Sequence, residues 1–575
     1  MCLNDMMECY HLLLESSMLI LKNAVMALFL LACFNFQVIA ETEKKAAIAT
    51  AHSLATFAGF EILQQGGNAF DAAVAVSAAL SVVEPAGSGL GGGGFWLLHR
   101  ASDGFETMLD GREKAPLAAY REMYLDKQGE VIKGLSRNGA LSAGIPGLPA
   151  ALVHLSEKYG KLSLAQSLQP AIRYAQQGFT IDERHRKLLK FRLAVLQNNP
   201  QAADIFLEAN KVPKEKSVLR QADLAKTLKR IAESGHKGFY AGDVASKLIN
   251  AVTKAGGIWT VEDLDNYQIV EREPVRGEYQ GVKITSAALP SSGGIVLIEA
   301  LNILSGYQLE QLDEIKKKHI IAEALRRAYH DRAFYLGDSD FVDVPVKRLL
   351  NQDYAAGLRS TISLDKATPS HMLAGSMQQK TEGRDTTHFS IIDKEGNRVS
   401  ATLSVNFPFG SGFVAEGTGV ILNDEMDDFV SKAGDMNGYG LVGGMANAIE
   451  PGKRMLSSMS PTFIEDENRI ALLGTPGGSR IISMVLLAIL DFSQGRGPES
   501  WVWLPRFHHQ YVPDLIKYEK GGMTSDEIES LSKLGHQLKE VRYRYGNMQA
   551  VLLNKKTGKL SAESDPRGEG LALVR

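Results

Sequence analysis

The chain has 575 residues, 45% hydrophobic and 22% charged, with a formal net charge of −3. That is an ordinary globular balance, and it excludes the concentrated basic surface that nucleic-acid binding requires. Length alone allows two to four domains.

The first 40 residues read as a leader. Lys22 precedes the apolar run from Ala24 to Phe36, and Val38-Ile39-Ala40 follows. A positive start, a short apolar core and small residues before a cut describe a secretory signal. Cleavage after Ala40 would leave Glu41 first, and a start at Met18 or Met26 would shorten the leader. The expected location is therefore exported, either periplasmic or secreted. An alternative is that Leu30-Leu31-Ala32-Cys33 forms a lipoprotein box, with Cys33 lipidated. All three cysteines (Cys2, Cys9 and Cys33) lie in this leader. The mature chain would then have no disulfide, thiol nucleophile or cysteine-ligated metal, and would depend on a large core.

Residues 51–83 predict a buried helical hairpin, broken at Gly66-Gly67-Asn68 by glycines of the kind that end helices. The glycine-rich run Gly87 to Gly94 leads into an apolar strand, Phe95 to Leu98. Residues 140–365 predict mostly amphipathic helix, including one long helix from Lys316 to Tyr335. The polar stretch Asp365 to Arg384 predicts a surface loop. Then the pattern changes. His388 to Asp393 and Arg398 to Val405 predict a hairpin around Lys394-Glu395-Gly396-Asn397. Further strands are expected at Gly419–Leu422, Thr462–Glu465, Arg469–Leu473 and Met548–Leu553, with a buried helix at Ile481–Leu490.

The junction at Thr386 has chemical meaning. Amide hydrolysis needs a nucleophile, a base and donors for the oxyanion. A threonine at a chain terminus supplies the first two, because its own α-amine acts as base. The chain must then be cut just before it, and the hydroxyl can attack the preceding carbonyl itself. Such a residue should follow a loop and begin a strand, as Thr386 does in Asp385-Thr386-Thr387-His388-Phe389-Ser390. Taken alone, Thr-Thr ahead of a strand also fits a purely structural role, since β-branched residues favour strands.

Thr386 to Ser390 resembles the processing site of the γ-glutamyltranspeptidases, a family of N-terminal-nucleophile hydrolases. So do Gly67 to Ala75, Asp110 to Glu113, Pro290 to Gly294, Asp427 to Phe429, Leu456 to Pro461, Pro476 to Arg480 and Pro505 to Gln510, in matching order. The resemblance implies an α+β fold, the αββα sandwich with two stacked antiparallel sheets covered by helices. It implies a leader at 1–40, a large subunit at 41–385 and a small subunit at 386–575, both forming one interleaved domain as a heterodimer from one precursor. It implies cleavage between Asp385 and Thr386, with Thr386 then the nucleophile.

The same resemblance assigns the site. Arg112 would bind the α-carboxylate of a γ-glutamyl group, as a guanidinium can do bidentately, with Ser457 and Ser458 adding hydroxyls. Asn406, Glu425 and Asp428 would receive its α-amine. Gly477 and Gly478 would present backbone N–H groups to the oxyanion, and Ser404 would orient the Thr386 hydroxyl. Tyr439 would sit in a lid. Substrates would be glutathione and other γ-glutamyl compounds, and acceptors water, amino acids or peptides. No cofactor, metal or nucleic acid is expected, and His508-His509 is taken as structural because neighbours on a strand face opposite ways. A glutaryl-cleaving cephalosporin acylase is the alternative on the same fold.

Overall fold

The computed structural model describes residues 4–34, 44–373, 386–432, 434, 437 and 440–575. Two units separate, Met1–Lys44 and Lys45–Arg575. The first holds one helix, Asn4–Phe34. Among the described residues no helix is long and apolar enough to cross a membrane.

The second unit is built on two antiparallel sheets. The first has the strand order Leu571–Val574, Ala47–Thr50, Thr387–Ile392, Arg398–Ser404, Gly93–Arg100, Phe105–Gly111, Val270–Arg272. The second runs Leu560–Ser564, Gln549–Asn554, Arg469–Gly474, Thr462–Glu465, Val282–Ser286, Val275–Tyr279. In both sheets, strands from before and after residue 386 lie side by side. Helices Ser53–Gln64 and Ala69–Val83 pack on the outer face of the first sheet, and Gly293–Leu304 and Ile481–Ser493 on the second. The layers are therefore helix, sheet, sheet, helix.

This layering explains the continuous apolar strands. Trp96 and Leu98 join the core under the helices with Phe389, Ile391 and Val399. Phe95 and Leu97, one residue out of phase, join the core between the sheets with Ile464 and Leu472. Strands buried on both faces lose the polar alternation of a one-sided sheet.

The hairpin at 51–83 forms as expected. Asn68 caps Ala69–Val83 in a capping box with Asp71, and Asp393 accepts from the Ala69 amide at 2.8 Å. The long helix runs Glu314–Tyr335. Residues 140–365 are mostly helical, as expected, and also carry three strands at 270–286 that are too short for period-2 patterning to show. One expectation is corrected. Gly419–Leu422 forms no strand. Only the bridges Val414↔Ile421 and Gly91↔Leu422 occur there, because the Leu422 carbonyl accepts from the Ser411 amide and hydroxyl instead of a ladder partner.

Candidate active site

Thr386 immediately precedes the strand Thr387–Ile392, and its neighbour on the sheet is Arg398–Ser404 with Leu403 opposite Thr387 and Thr402 opposite His388. Alternation along the strand sends Thr387, Phe389 and Ile391 toward the helices, and Thr386, His388 and Ser390 toward the second sheet. The Thr387 hydroxyl donates to Glu84 at 2.5 Å, just beyond the end of Ala69–Val83. Carrying the pairing one residue further sets Ser404 across from Thr386, at the spacing of side-chain neighbours on one sheet face. The Ser404 hydroxyl accepts from the Asn406 amide at 2.8 Å.

His388 is placed to support the strand, not to catalyse. Its ring lies so close to Gly474 that any Cβ there would stand 2.3 Å from it. It meets Thr402 Oγ1 at 2.9 Å, and burial lowers its pKa to about 3. It is neutral at physiological pH.

One pocket is lined by Thr386, Arg112, Ser404, Asn406, Glu425, Asp428, Ser457, Ser458 and Gly478. Nine of the expected site residues thus converge from segments far apart in the chain. Gly477 adjoins them. The turn there requires glycine, with φ of +146° at Gly477 and +57° at Gly478, where a side chain is strained. The Ser479 hydroxyl donates to Gln510, and Gln510 donates to the Gly440 carbonyl. Gln510 therefore ties the glycine turn to the loop after residue 439.

Arg112 is 1% exposed and central to the charge balance. Its Nη1 donates to Glu425 Oε2 at 2.6 Å and its Nη2 to Asp428 Oδ2 at 2.5 Å. Glu113 lies 3.4 Å away. Burial opposes the guanidinium's charge, but Glu425, Glu113 and Asp428 more than offset this and hold its pKa above the ordinary value. Burial pushes the Glu425 carboxyl up to about 7, against the pull of Arg112. Glu425 Oε1 is buried with no hydrogen-bond partner, an acceptor suited to an ammonium donor. Asn406 has φ of +74° and donates from Nδ2 to the Asp424 carbonyl.

The backbone of Ser457 is held on both sides of its peptide. Ser292 donates from both its amide and its hydroxyl to the Ser457 carbonyl, and the Ser457 amide donates to the Pro290 carbonyl at 2.8 Å. The segment Pro290 to Gly294 thus holds the Ser457 backbone in place. Sequence reasoning missed Arg332, which lines the same pocket. The signal was present: Leu325, Ala328, Tyr329 and Arg332 form one buried helical stripe, and a cation on an apolar stripe asks for an explanation.

Asp385 and Tyr439 lie outside the described residues. His508 contacts Ser483 and Gln510, whereas His509 contacts Asp514 and the Tyr511 amide, so the two rings serve different networks. Among the described residues one group, His319, Glu323 and His536, has the spacing of metal ligands. Its carboxylate is already held by Arg326 at 3.2 Å and Arg327 at 2.6 Å, and its two rings bond each other at 2.7 Å. That donor set does not suit a cation.

Known proteins are similar over nearly the whole chain. A glutathione hydrolase proenzyme from Pseudomonas sp. (strain A14) is 44% identical over 88% of this chain and 90% of its own. One from Escherichia coli (strain K12) is 40% identical over 91% of this chain and 90% of its own. Among solved structures, cephalosporin acylase from Bacillus halodurans superimposes with a TM-score of 0.80 at 28% identity, covering 92% of this chain and 96% of its own. The family model described as gamma-glutamyltranspeptidase matches residues 55–574. A threonine heading an inner strand, facing a pocket of paired charges, accompanies these likenesses, and the chain belongs to the γ-glutamyltranspeptidase family.

Proposed function

We propose that the chain is a γ-glutamyltransferase and glutathione hydrolase that is exported and matures by cutting itself between Asp385 and Thr386. In maturation the Thr386 hydroxyl attacks the Asp385 carbonyl, the peptide C–N bond breaks to free the Thr386 amine as an ester forms, and water cleaves the ester to release the Asp385 carboxylate and the Thr386 hydroxyl. The products 41–385 and 386–575 stay together as a heterodimer, since their strands lie side by side in both sheets. The residues at 22–40 support export.

In the reaction, Thr386 Oγ1 bonds to the γ-carbonyl carbon and its proton passes to the α-amine. The C–N bond breaks as that proton moves to the leaving amine. The γ-glutamyl ester is then attacked by water, giving glutamate, or by an amino acid or peptide amine, giving a new γ-glutamyl amide. The N–H groups at Gly477 and Gly478 face the developing oxyanion. Ser404, opposite Thr386, orients the nucleophile. Asn406, Glu425 and Asp428 take the substrate α-amine, and Arg112, Ser457 and Ser458 its α-carboxylate.

The observation that carries this reading is the joining of Thr386 with Arg112, Glu425 and Asp428 on one pocket. Two carboxylates suit an α-ammonium, which a glutaryl chain lacks. Comparing γ-glutamyl-4-nitroanilide with glutaryl-4-nitroanilide tests it. The γ-glutamyl substrate should be strongly preferred; preference for glutaryl would replace this reading with the acylase.

A further inference from the structure

Arg332 brings a second buried guanidinium to the Thr386 pocket. It sits on Glu314–Tyr335 and is 5% exposed. Its Nε donates to Ser292 Oγ at 2.9 Å, the same hydroxyl that donates to the Ser457 carbonyl at 2.6 Å. Its Nη2 lies 3.5 Å from Ser458 Oγ. Arg112, which lines the same pocket, reaches this segment at Met455, whose carbonyl accepts from the Arg112 Nε at 3.2 Å.

The two guanidiniums differ in their company. Arg112 is engaged by Glu425, Asp428 and Glu113. Buried Arg326, Arg327 and Arg454 each meet a carboxylate as well. Among the described residues no carboxylate lies within 4.0 Å of Arg332. Burial works against its charge, and Tyr329 and Asp428 only partly compensate. A buried charge without a counterion is costly, and an anionic ligand beside it relieves that cost. The pocket thus has one wall dominated by carboxylates and another of hydroxyls backed by an uncompensated cation.

We propose that Arg332 is a specificity-determining residue for the α-carboxylate of the γ-glutamyl group, fixing the Ser458 hydroxyl directly and the Ser457 backbone through Ser292, and supplying the positive charge behind them. This rests on the γ-glutamyl reading above.

The test compares γ-glutamyl-4-nitroanilide with 4-aminobutyryl-4-nitroanilide, which has the same chain and amine but no α-carboxylate. Arg332→Gln should raise KM for the γ-glutamyl substrate roughly 10- to 100-fold, the worth of a hydrogen-bonded charge, with kcat nearly unchanged. KM for the 4-aminobutyryl substrate should stay as in the wild type. Arg332→Lys should restore part of the discrimination. Equal changes on both substrates would show a structural role and overturn the proposal, as would no change on either. If Arg332→Gln is not processed, Arg332→Lys carries the same comparison, read as inhibition by free glutamate against 4-aminobutyrate; equal weakening of both overturns it. Failure of the wild type to cleave the γ-glutamyl substrate would instead sink the underlying reading.

Discussion

Arg112 Nη1 stands 2.6 Å from Glu425 Oε2, so a residue expected to bind the substrate's carboxylate is bonded to one expected to bind its amine. A zwitterionic substrate matches such a pair end for end, and its entry exchanges one set of ionic contacts for another. Removing Arg112 leaves Glu425, at 1% exposure, buried without its counterion. Breaking a buried pair costs about 3–5 kcal/mol. Arg112→Ala should raise KM for γ-glutamyl-4-nitroanilide at least about 100-fold while cleavage into two chains continues. Loss of cleavage on denaturing electrophoresis would place Arg112 in the maturation machinery instead.

Glu425 gives the site a pH dependence. Its folded pKa, about 7, lies above the ordinary 4.5. Between those values the folded protein holds a proton that the unfolded chain has released. The stability contributed by this group is present at low pH and lost as pH rises through that window. Function runs the other way, because the anion receives the ammonium. The Thr386 α-amine, ordinarily near 8, must also be neutral to act as base. Two deprotonations should therefore steepen the acid limb of kcat/KM, which reports the free enzyme. Glu425→Gln should reduce that limb to a single ionisation; an unchanged limb would show that Glu425 does not titrate in this range.

The proposed maturation relies on one hydroxyl, that of Thr386. Purified wild type should give two bands on denaturing electrophoresis, with the smaller beginning at Thr386 on N-terminal sequencing. Thr386→Ala should run as one uncut chain without activity, because neither the attack on Asp385 nor the acyl transfer has a nucleophile. Thr386→Ser keeps the hydroxyl and should still cut. An Ala variant that divides at the same bond would mean that another protein makes the cut.

Much of this was legible in the sequence, for reasons that differ by residue. The hairpin at 51–83 is legible from its long apolar runs and the glycine break between them, and the helix ending at Tyr335 from a long stretch without glycine or proline. The inner strand after Thr386 announces itself by β-branched and apolar residues. The pocket was legible only through resemblance, because its members are isolated polar residues whose meeting depends on long-range topology. Ser404 faces Thr386 through sheet register, and Arg112 meets Glu425 across more than 300 positions. Arg332 carried a signal, a cation on a buried apolar stripe, but other charges crowd the same helix and mask it. The strands at 270–286 were hidden because elements of three to five residues are too short to show a period.

The turn at Gly477 allows a sharper test of the oxyanion assignment than a side-chain deletion. Its φ of +146° is closed to residues with a Cβ, and a Cβ there would stand 2.7 Å from Met484 Cε. Gly477→Ala must therefore rotate the peptide or displace the turn, and either moves the N–H groups away from the oxyanion. Losing one such donor typically costs a factor of about 10²–10³ in kcat. KM should change little, because the groups proposed to hold the γ-glutamyl amine and carboxylate belong to other segments. Maturation uses the same nucleophile on a different carbonyl, so the rate of self-cleavage, followed by electrophoresis after synthesis, separates two cases. Slowed cleavage together with slowed turnover means that both reactions share the Gly477–Gly478 donors. Normal cleavage with a lowered kcat means that maturation stabilises its oxyanion elsewhere. A variant with wild-type kcat would remove Gly477 from the oxyanion site.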